Sequence, residues 1–351
     1  MSVQRIPADQ ALAQLGRFGT IVDARSEGEF AIDHLPGAVN WPSLHDAERV
    51  EVGTLYRQVN PFEARKRGAA LVARNIAAHI EQHCMDKPKG WQPLLYCWRG
   101  GQRSGALALV LGQVGFRVQL LEGGYKAFRA AMLADLSSQV VRLSWRVICG
   151  PTGSGKTRLL HALARAGAQV LDLEALARHR ASVLGLIPGV AQPSQKHFEM
   201  TVWDSLRALD ATRPVYVEAE SKKVGNVTLP EPLVAAMRAG ACLRVDLSPD
   251  ERVALLLEDY PFFVSNPAFF GERLDTLVNL RGRAVIEGWK AQIAAGHTEA
   301  VVRELLEKHY DPGYATSTRR NFSQFEQAQA VPLADRSEAA LDAASARILA
   351  G

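Results

Sequence analysis

The run Leu143-Ser-Trp-Arg-Val-Ile-Cys149 ends directly in Gly150-Pro151-Thr152-Gly153-Ser154-Gly155-Lys156-Thr157 and leaves this chain few folds to choose from. An apolar strand, the pattern G-x-x-x-x-G-K-T and an amphipathic stretch from Arg158 to Arg165 follow one another in the order a phosphate-binding loop requires. Such a loop belongs at the carboxyl end of a sheet strand, so the second half of the chain is expected to be a P-loop α/β domain. Gly150, Gly153 and Gly155 let backbone amides wrap an anion alongside Ser154, Lys156 adds a charge, and Thr157 can hold magnesium. Cys149 reads as a packed strand residue.

What this loop grips is less constrained. The next strand, Ala168 to Glu174, brings Asp172 and Glu174 to its carboxyl end, where doubly wound folds place ligands. A later strand, Pro214-Val-Tyr-Val-Glu218-Ala-Glu220-Ser-Lys222-Lys223, stands where a Walker B strand is expected but offers Glu instead of Asp. ATP hydrolysis is therefore not implied, and a diphosphate ester with a reactive organic end is an equal candidate. Lys222 and Lys223 are either a solvated pair or ligand-facing. The rest reads as helical, over 250–260, 272–296, 298–310 and 337–349, with Arg252, Arg273, Arg281 and Arg283 as surface or lid arginines. His309-Tyr-Asp-Pro312 reads as a helix stop, its His a cap or a base.

The first half carries alternating strand and helix signals. Its chemical focus is Tyr96-Cys97-Trp98-Arg99-Gly100-Gly101-Gln102-Arg103-Ser104, in which Cys97 is the one cysteine that reads as exposed. Pro93 to Tyr96 is a short buried strand and Ser104 caps a following helix, so Cys97 lies on a strand-to-helix turn. Loop amides, the helix end, Arg99 and Arg103 make a cradle that favours an anionic sulfur. Pro42 to Lys66 is an insertion whose basic residues read as a solvated helix surface. Asp135-Leu-Ser-Ser-Gln139 is the expected linker, giving domains at 1–137 and 138–351.

Composition sets outer bounds. At 351 residues the chain exceeds one typical domain. A hydrophobic share of 47% with 22% charged residues excludes a disordered chain. The net charge of +4 permits an acidic partner such as RNA. Four cysteines without Cys-x-x-Cys spacing argue against zinc and against a disulfide framework, and no resident metal is expected. No signal-peptide core or membrane-length apolar run is present, so a cytoplasmic location without membrane contact is expected.

The Cys97 loop resembles the active-site loop of the rhodanese superfamily, whose strand-end cysteine carries sulfur as a persulfide. Two more stretches match that superfamily: Thr20-Ile-Val-Asp23-Ala-Arg25 with His34-Leu-Pro-Gly-Ala38, and Glu122-Gly-Gly-Tyr125 after a strand. Asp172-Leu-Glu174, Arg178-His-Arg180, Gln192-Pro-Ser-Gln-Lys196-x-Phe-Glu199, Glu218 to Lys223 and His309 to Pro312 extend the resemblance. In combination, nearly the whole chain resembles the tRNA 2-selenouridine synthase family.

The resemblance implies a rhodanese-like α/β domain followed by a P-loop NTPase-like α/β domain with a helical C-terminal part. It implies a transferase that converts wobble 2-thiouridine of tRNA to 2-selenouridine through an S-geranylated intermediate. Selenophosphate and geranyl diphosphate would be co-substrates, no cofactor would be tightly bound, and a selenophosphate synthetase would supply selenium. Cys97 would carry selenium as a selenopersulfide, with Arg99 and Arg103 assisting, while Gly153 to Thr157 hold the diphosphate. Trp98 is the candidate stacking platform for the uridine, and Asp172, Glu218, Glu220, Lys222 and Lys223 are candidate substrate contacts. The alternatives are a thiosulfate sulfurtransferase fused to a small-molecule kinase, and a regulatory phosphate-binding module.

Overall fold

The structure is a computed structural model that describes residues 3–180, 182 and 184–351. The chain folds as two compact units, Met1–Ser138 with Pro193–Asp204, and Gln139–Gln192 with Ser205–Gly351.

In the first unit, β1 (Gln4–Ile6), β2 (Thr20–Asp23), β3 (Ala38–Asn40), β4 (Pro93–Tyr96) and β5 (Gln119–Leu121) form a parallel sheet in the order β1-β5-β4-β2-β3. The central strand β4 does not alternate, because Leu94, Leu95 and Tyr96 are all fully buried, as both faces of a parallel sheet demand. Trp41, Leu95, Leu107 and Leu111 share its core. The expected insertion is two helices, Asp46–Gln58 and Pro61–His83, the second capped by Asn60 Oδ1 accepting from the amides of Phe62 and Glu63. Its basic residues lie on the surface, Lys66 and Arg67 pairing with Glu63 and Glu51.

The expected linker is not a loop. Residues 135–139 lie inside the helix Gly124–Arg142, which packs Leu136 and Val140 into the interior while Ser137 and Ser138 bond back to the carbonyls of Leu133 and Ala134. The first unit also takes in the start of helix Gln195–Arg207, through fully buried Phe198 and Trp203. Trp203 meets Phe128 edge-on at 5.7 Å and donates to Asp135.

In the second unit, β6 (Ser144–Cys149), β7 (Gln169–Leu171), β8 (Pro214–Glu218), β11 (Ala241–Asp246) and β12 (Gln329–Pro332) form a parallel sheet ordered β12-β11-β6-β8-β7. The short strands β9 (Lys223–Val224) and β10 (Val227–Thr228) make a separate antiparallel hairpin. Ile148, Leu159, Leu163, Leu243 and Val245 build the core around β6.

The C-terminal part departs from the helical expectation at three places. β12 is an edge strand with only Val331 buried, too short to show a period of two. The helix expected over 272–296 breaks at Gly282, whose φ of +84° separates Val278–Arg281 from Arg283–Ala294. His309 stops nothing: the chain passes through one π turn, Leu306–Tyr310, and continues as helix Asp311–Asn321, with Pro312 in its first turn where no amide partner is needed. Among the described residues no helix is long and apolar enough to cross a membrane.

Candidate active site

Cys97 opens the loop between β4 and helix Gln102–Val114, as expected, but it is only 3% exposed. The cover comes from the sequence itself: a Cβ on Gly124 would lie 2.2 Å from the Cys97 carbonyl oxygen, so only glycine lets the two segments close together. The Tyr125 and Lys126 amides then donate to the carbonyls of Cys97 and Trp98 at 2.8 and 3.1 Å. Ser104 is not the helix cap. The helix begins two residues earlier with Gly101 at that position, which frees the fully buried Ser104 hydroxyl to donate to Cys97 Sγ at 3.1 Å. Arg99 is exposed, whereas Arg103 is half-buried and held by Glu29 at 2.6 Å. Burial works to raise the Glu29 carboxyl, yet the hydrogen bond and charge of Arg103 leave it lowered.

Beneath this loop lies a buried polar brace. Arg25 forks onto Asp23 with a shortest contact of 2.6 Å and donates to the Asp33 carbonyl at 2.6 Å. Its guanidinium sits 4.3 Å from the Tyr125 ring centre, and the Tyr125 hydroxyl donates to Asp33 Oδ2 at 2.6 Å. Burial pushes the Tyr125 phenol upward, with Asp33 adding to it. Trp98 stacks on Tyr125 at 5.3 Å, and the Lys196 ammonium lies 5.4 Å from the Trp98 ring centre. Lys196 and Glu199, matched at the sequence level without a role, are thereby placed beside the Cys97 loop, Glu199 pairing with Arg129.

In the second unit the P-loop takes the shape its spacing demands, with Gly153 and Gly155 at φ +77° and +87°. Ser154 is fully buried, and a Cβ on Gly150 would fall 2.4 Å from its hydroxyl. The Lys156 ammonium donates to the carbonyls of Gly150 and Pro151 at 2.9 and 3.3 Å. Arg252, read from sequence as surface or lid, is 7% exposed and grips the loop through the Thr152 carbonyl. Its partner is remote in sequence, so no local pattern marks it.

Lys156, Thr157, Glu174, Glu218, Glu220 and Lys222 line one cleft. Carboxylate oxygens of the three glutamates lie within 4.8 Å of one another. Burial, and then the neighbouring acids, push the Glu218 and Glu220 carboxyls up. Two candidates stand apart. Asp172 caps helix Leu173–Ala177 by accepting from the Ala175 amide at 2.8 Å and pairs with His161 at 2.7 Å, so it faces a neighbouring depression. Lys223 is exposed in β9. His309 lines the cleft, its Nδ1 accepting from Arg281 at 3.1 Å, and burial together with that cation lowers its pKa.

Next to the cleft is an apolar pocket that the sequence reading did not anticipate. Leu184, Leu256, Tyr260, Phe263, Phe270, Val302, Leu305 and Leu306 line it. Thr152, Ser182, Leu256, Tyr260 and Tyr310 border both cavities, so a ligand held at the P-loop has an oily chamber beside it. The only advance signal was the aromatic density of Tyr260-Pro-Phe-Phe263 and Phe269-Phe270.

Comparison with known proteins matches both halves in order. A rhodanese-like domain family matches residues 7–131, and the family described as the tRNA 2-selenouridine synthase AAA domain matches residues 143–269. A curated relative from Nitrosomonas europaea, called tRNA 2-selenouridine synthase, is 38% identical over 68% of this chain and 63% of its own length. The alignment therefore spans just under two thirds of that relative. One of the same name from Alcanivorax borkumensis is 32% identical over 84% of this chain and 88% of its own. Among solved structures, a rhodanese-like domain protein from Staphylococcus aureus is 20% identical, covering 36% of this chain and 91% of its own, with a TM-score of 0.24. The two domain families match one after the other along the chain, and the Alcanivorax relative is matched over most of both chains, so the chain belongs to the tRNA 2-selenouridine synthase family.

Proposed function

We propose that this chain is a transferase acting in the cytoplasm on tRNA, converting wobble 2-thiouridine to 2-selenouridine by way of an S-geranyl intermediate. The observation that carries the two-step reading is the apolar pocket opening beside the P-loop cleft. A prenyl diphosphate needs both an anion cradle and a dry place for its hydrocarbon, and the two cavities supply them side by side. In the first step the thiouridine sulfur attacks C1 of geranyl diphosphate. The C–O bond breaks and diphosphate leaves, its charge met by the loop amides and Lys156.

In the second step the selenide-level selenium of selenophosphate, bound at the Cys97 loop, attacks C2 of the base; the C2–S bond breaks, the geranylated sulfur departs as a thiolate, and hydrolysis of the Se–P bond releases phosphate and leaves 2-selenouridine. The Ser104 hydroxyl, 3.1 Å from Sγ, supports an anionic chalcogen there, with Arg99 and Arg103 supplying positive charge. Trp98 is the platform for the unpaired uridine. Selenophosphate is the selenium source, delivered by a selenophosphate synthetase.

Mass spectrometry of nucleosides from 2-thiouridine tRNA, after incubation with geranyl diphosphate and selenophosphate, tests this. Wild type should yield 2-selenouridine, Cys97→Ala should stop at the geranylated base, and Lys156→Ala should fail to geranylate. Unchanged nucleosides with ATP-dependent phosphorylation of a small molecule would overturn the reading in favour of a sulfurtransferase fused to a kinase.

A further inference from the structure

We infer that the two-helix insertion of the first unit is an RNA-docking surface, the basic face of helix Pro61–His83 taking backbone phosphates and the exposed rings at its tip taking unpaired bases. The charge of this face departs from that of a helix dressed only for water, which mixes both signs. Residues 64–80 carry four Lys and Arg side chains, Arg65, Lys66, Arg67 and Arg74, and no acidic one. Lys66 and Arg67 are answered by Glu63 and Glu51, whereas Arg57, Arg65 and Arg74 form no ion pair among the described residues. Between the cations the outward positions are Ala69, Ala70, Ala73 and Ala77, all exposed, so nothing bulky keeps a phosphate backbone away.

A second, independent observation is aromatic. Tyr56 and Phe62 stand on either side of the turn between the two helices, 58% and 62% exposed, and the Lys66 ammonium lies 5.0 Å from the Phe62 ring centre. Large rings left in water beside cations are what unpaired RNA uses, its bases stacking on the rings while Lys and Arg meet its phosphates. An acidic peptide answers the charges alone; RNA answers both. The base of the insertion is anchored to the Cys97 loop. Asn75 donates to the Ser43 carbonyl at 3.2 Å, the Ser43 hydroxyl donates to the Arg103 carbonyl at 2.9 Å, and Arg49 shares Glu29 with Arg103. From that base the 13-residue helix Asp46–Gln58 reaches about 20 Å, so an RNA whose uridine enters the loop has its neighbouring nucleotides within range of the tip. The inference rests on the tRNA reading of the first unit and goes beyond it by assigning the surface that holds the rest of the molecule.

The experiment is fluorescence anisotropy of labelled, unmodified tRNA titrated with the whole protein, from about 50 to about 200 mM KCl. The double variant Arg65→Ala with Arg74→Ala should bind about tenfold more weakly, and its slope of log Kd against log salt should fall by about 1 for each arginine removed. Phe62→Ala should weaken binding by a similar factor and leave the slope where it is, because stacking releases no counterions. All three side chains are exposed, so Tm should not move in either variant. In the nucleoside assay the loss in the double variant should fall on KM for tRNA and not on kcat. Unchanged affinity and slope in the folded variants would overturn the surface, as would unchanged tRNA affinity with a lost affinity for polyglutamate. Wild type that binds tRNA through this face without altering any nucleoside would count against the proposed reaction alone. Conversion with an unaltered KM in both variants would count against the surface alone, and no saturable tRNA binding by folded wild type against both.

Discussion

Arg252 donates through Nε and Nη2 to the carbonyl oxygen of Thr152, at 3.0 and 2.8 Å, and its remaining edge forks onto Asp311 at 3.0 and 2.6 Å. One planar cation thus ties the P-loop backbone to helices Pro249–Asp259 and Asp311–Asn321. A lysine has the charge without the fork. Arg252→Lys should therefore raise KM for the diphosphate substrate several-fold. Arg252→Ala should destabilise the second unit by roughly 3 kcal/mol, the low end for breaking a buried pair because Asp311 is partly exposed. Substrate titration and urea denaturation measure the two effects, and an unchanged KM in Arg252→Lys would show that the fork does not shape the loop.

Ser104→Ala removes the only hydroxyl that donates to Cys97 Sγ among the described residues, in a variant that the helix tolerates. A hydrogen bond to a charged acceptor contributes about 1.5–3 kcal/mol, so alkylation of Cys97 by iodoacetamide should slow by roughly tenfold or more. Equal alkylation rates would reduce Ser104 to a packing role.

The apolar pocket should measure chain length. Leu306 lines it, and Phe263 and Phe270, stacked 4.5 Å apart, wall it further in. Leu306→Trp fills the chamber, so geranyl diphosphate should be used at least tenfold less efficiently while the five-carbon dimethylallyl diphosphate is little affected. Competition between the two substrates, read by nucleoside mass spectrometry, decides. A uniform loss for both would place the hydrocarbon elsewhere.

His79 gives the first unit an acid limb. It is 7% exposed, and burial lowers its pKa despite the contact of Nε2 with the Pro42 carbonyl at 3.0 Å. The folded state therefore binds fewer protons than the unfolded chain, and stability is lost as pH falls below the unfolded value of about 6.5. His79→Gln should flatten the urea midpoint between pH 7.5 and 5.5. Trp41 stacks 5.9 Å from His79 and offers a fluorescence signal for that unit. An equally steep decline in the variant would assign the limb to other groups.

What could be read in advance follows from how far apart partners lie. The P-loop and the Cys97 turn are local, their glycine spacing and flanking strands being enough to place Lys156, Thr157 and Cys97. Ser104 was misread because a cap and a thiol donor differ only in where the helix begins, a shift of two residues. The capping role of Asp172 was not legible because an aspartate at a strand end serves a cap and a ligand site equally well. Arg252 and the apolar pocket were beyond reach: Thr152 lies 100 residues before Arg252, and the pocket's walls come from several separate helices. Lys196 lies between second-unit segments in the chain, and nothing local reveals that it joins the first unit.

That excursion has a topological consequence. The backbone enters the first unit, leaves it at Ser138, returns for Pro193–Asp204 and departs again, so no single scission point separates two intact halves. A fragment ending at Ser138 would lack Phe198 and Trp203, both fully buried in the whole chain, leaving Phe128 without its aromatic neighbour and the Asp135 carboxylate without its indole donor. The first unit is thus closed by a segment that the chain delivers only after starting the second, so its core is finished late in the sequence.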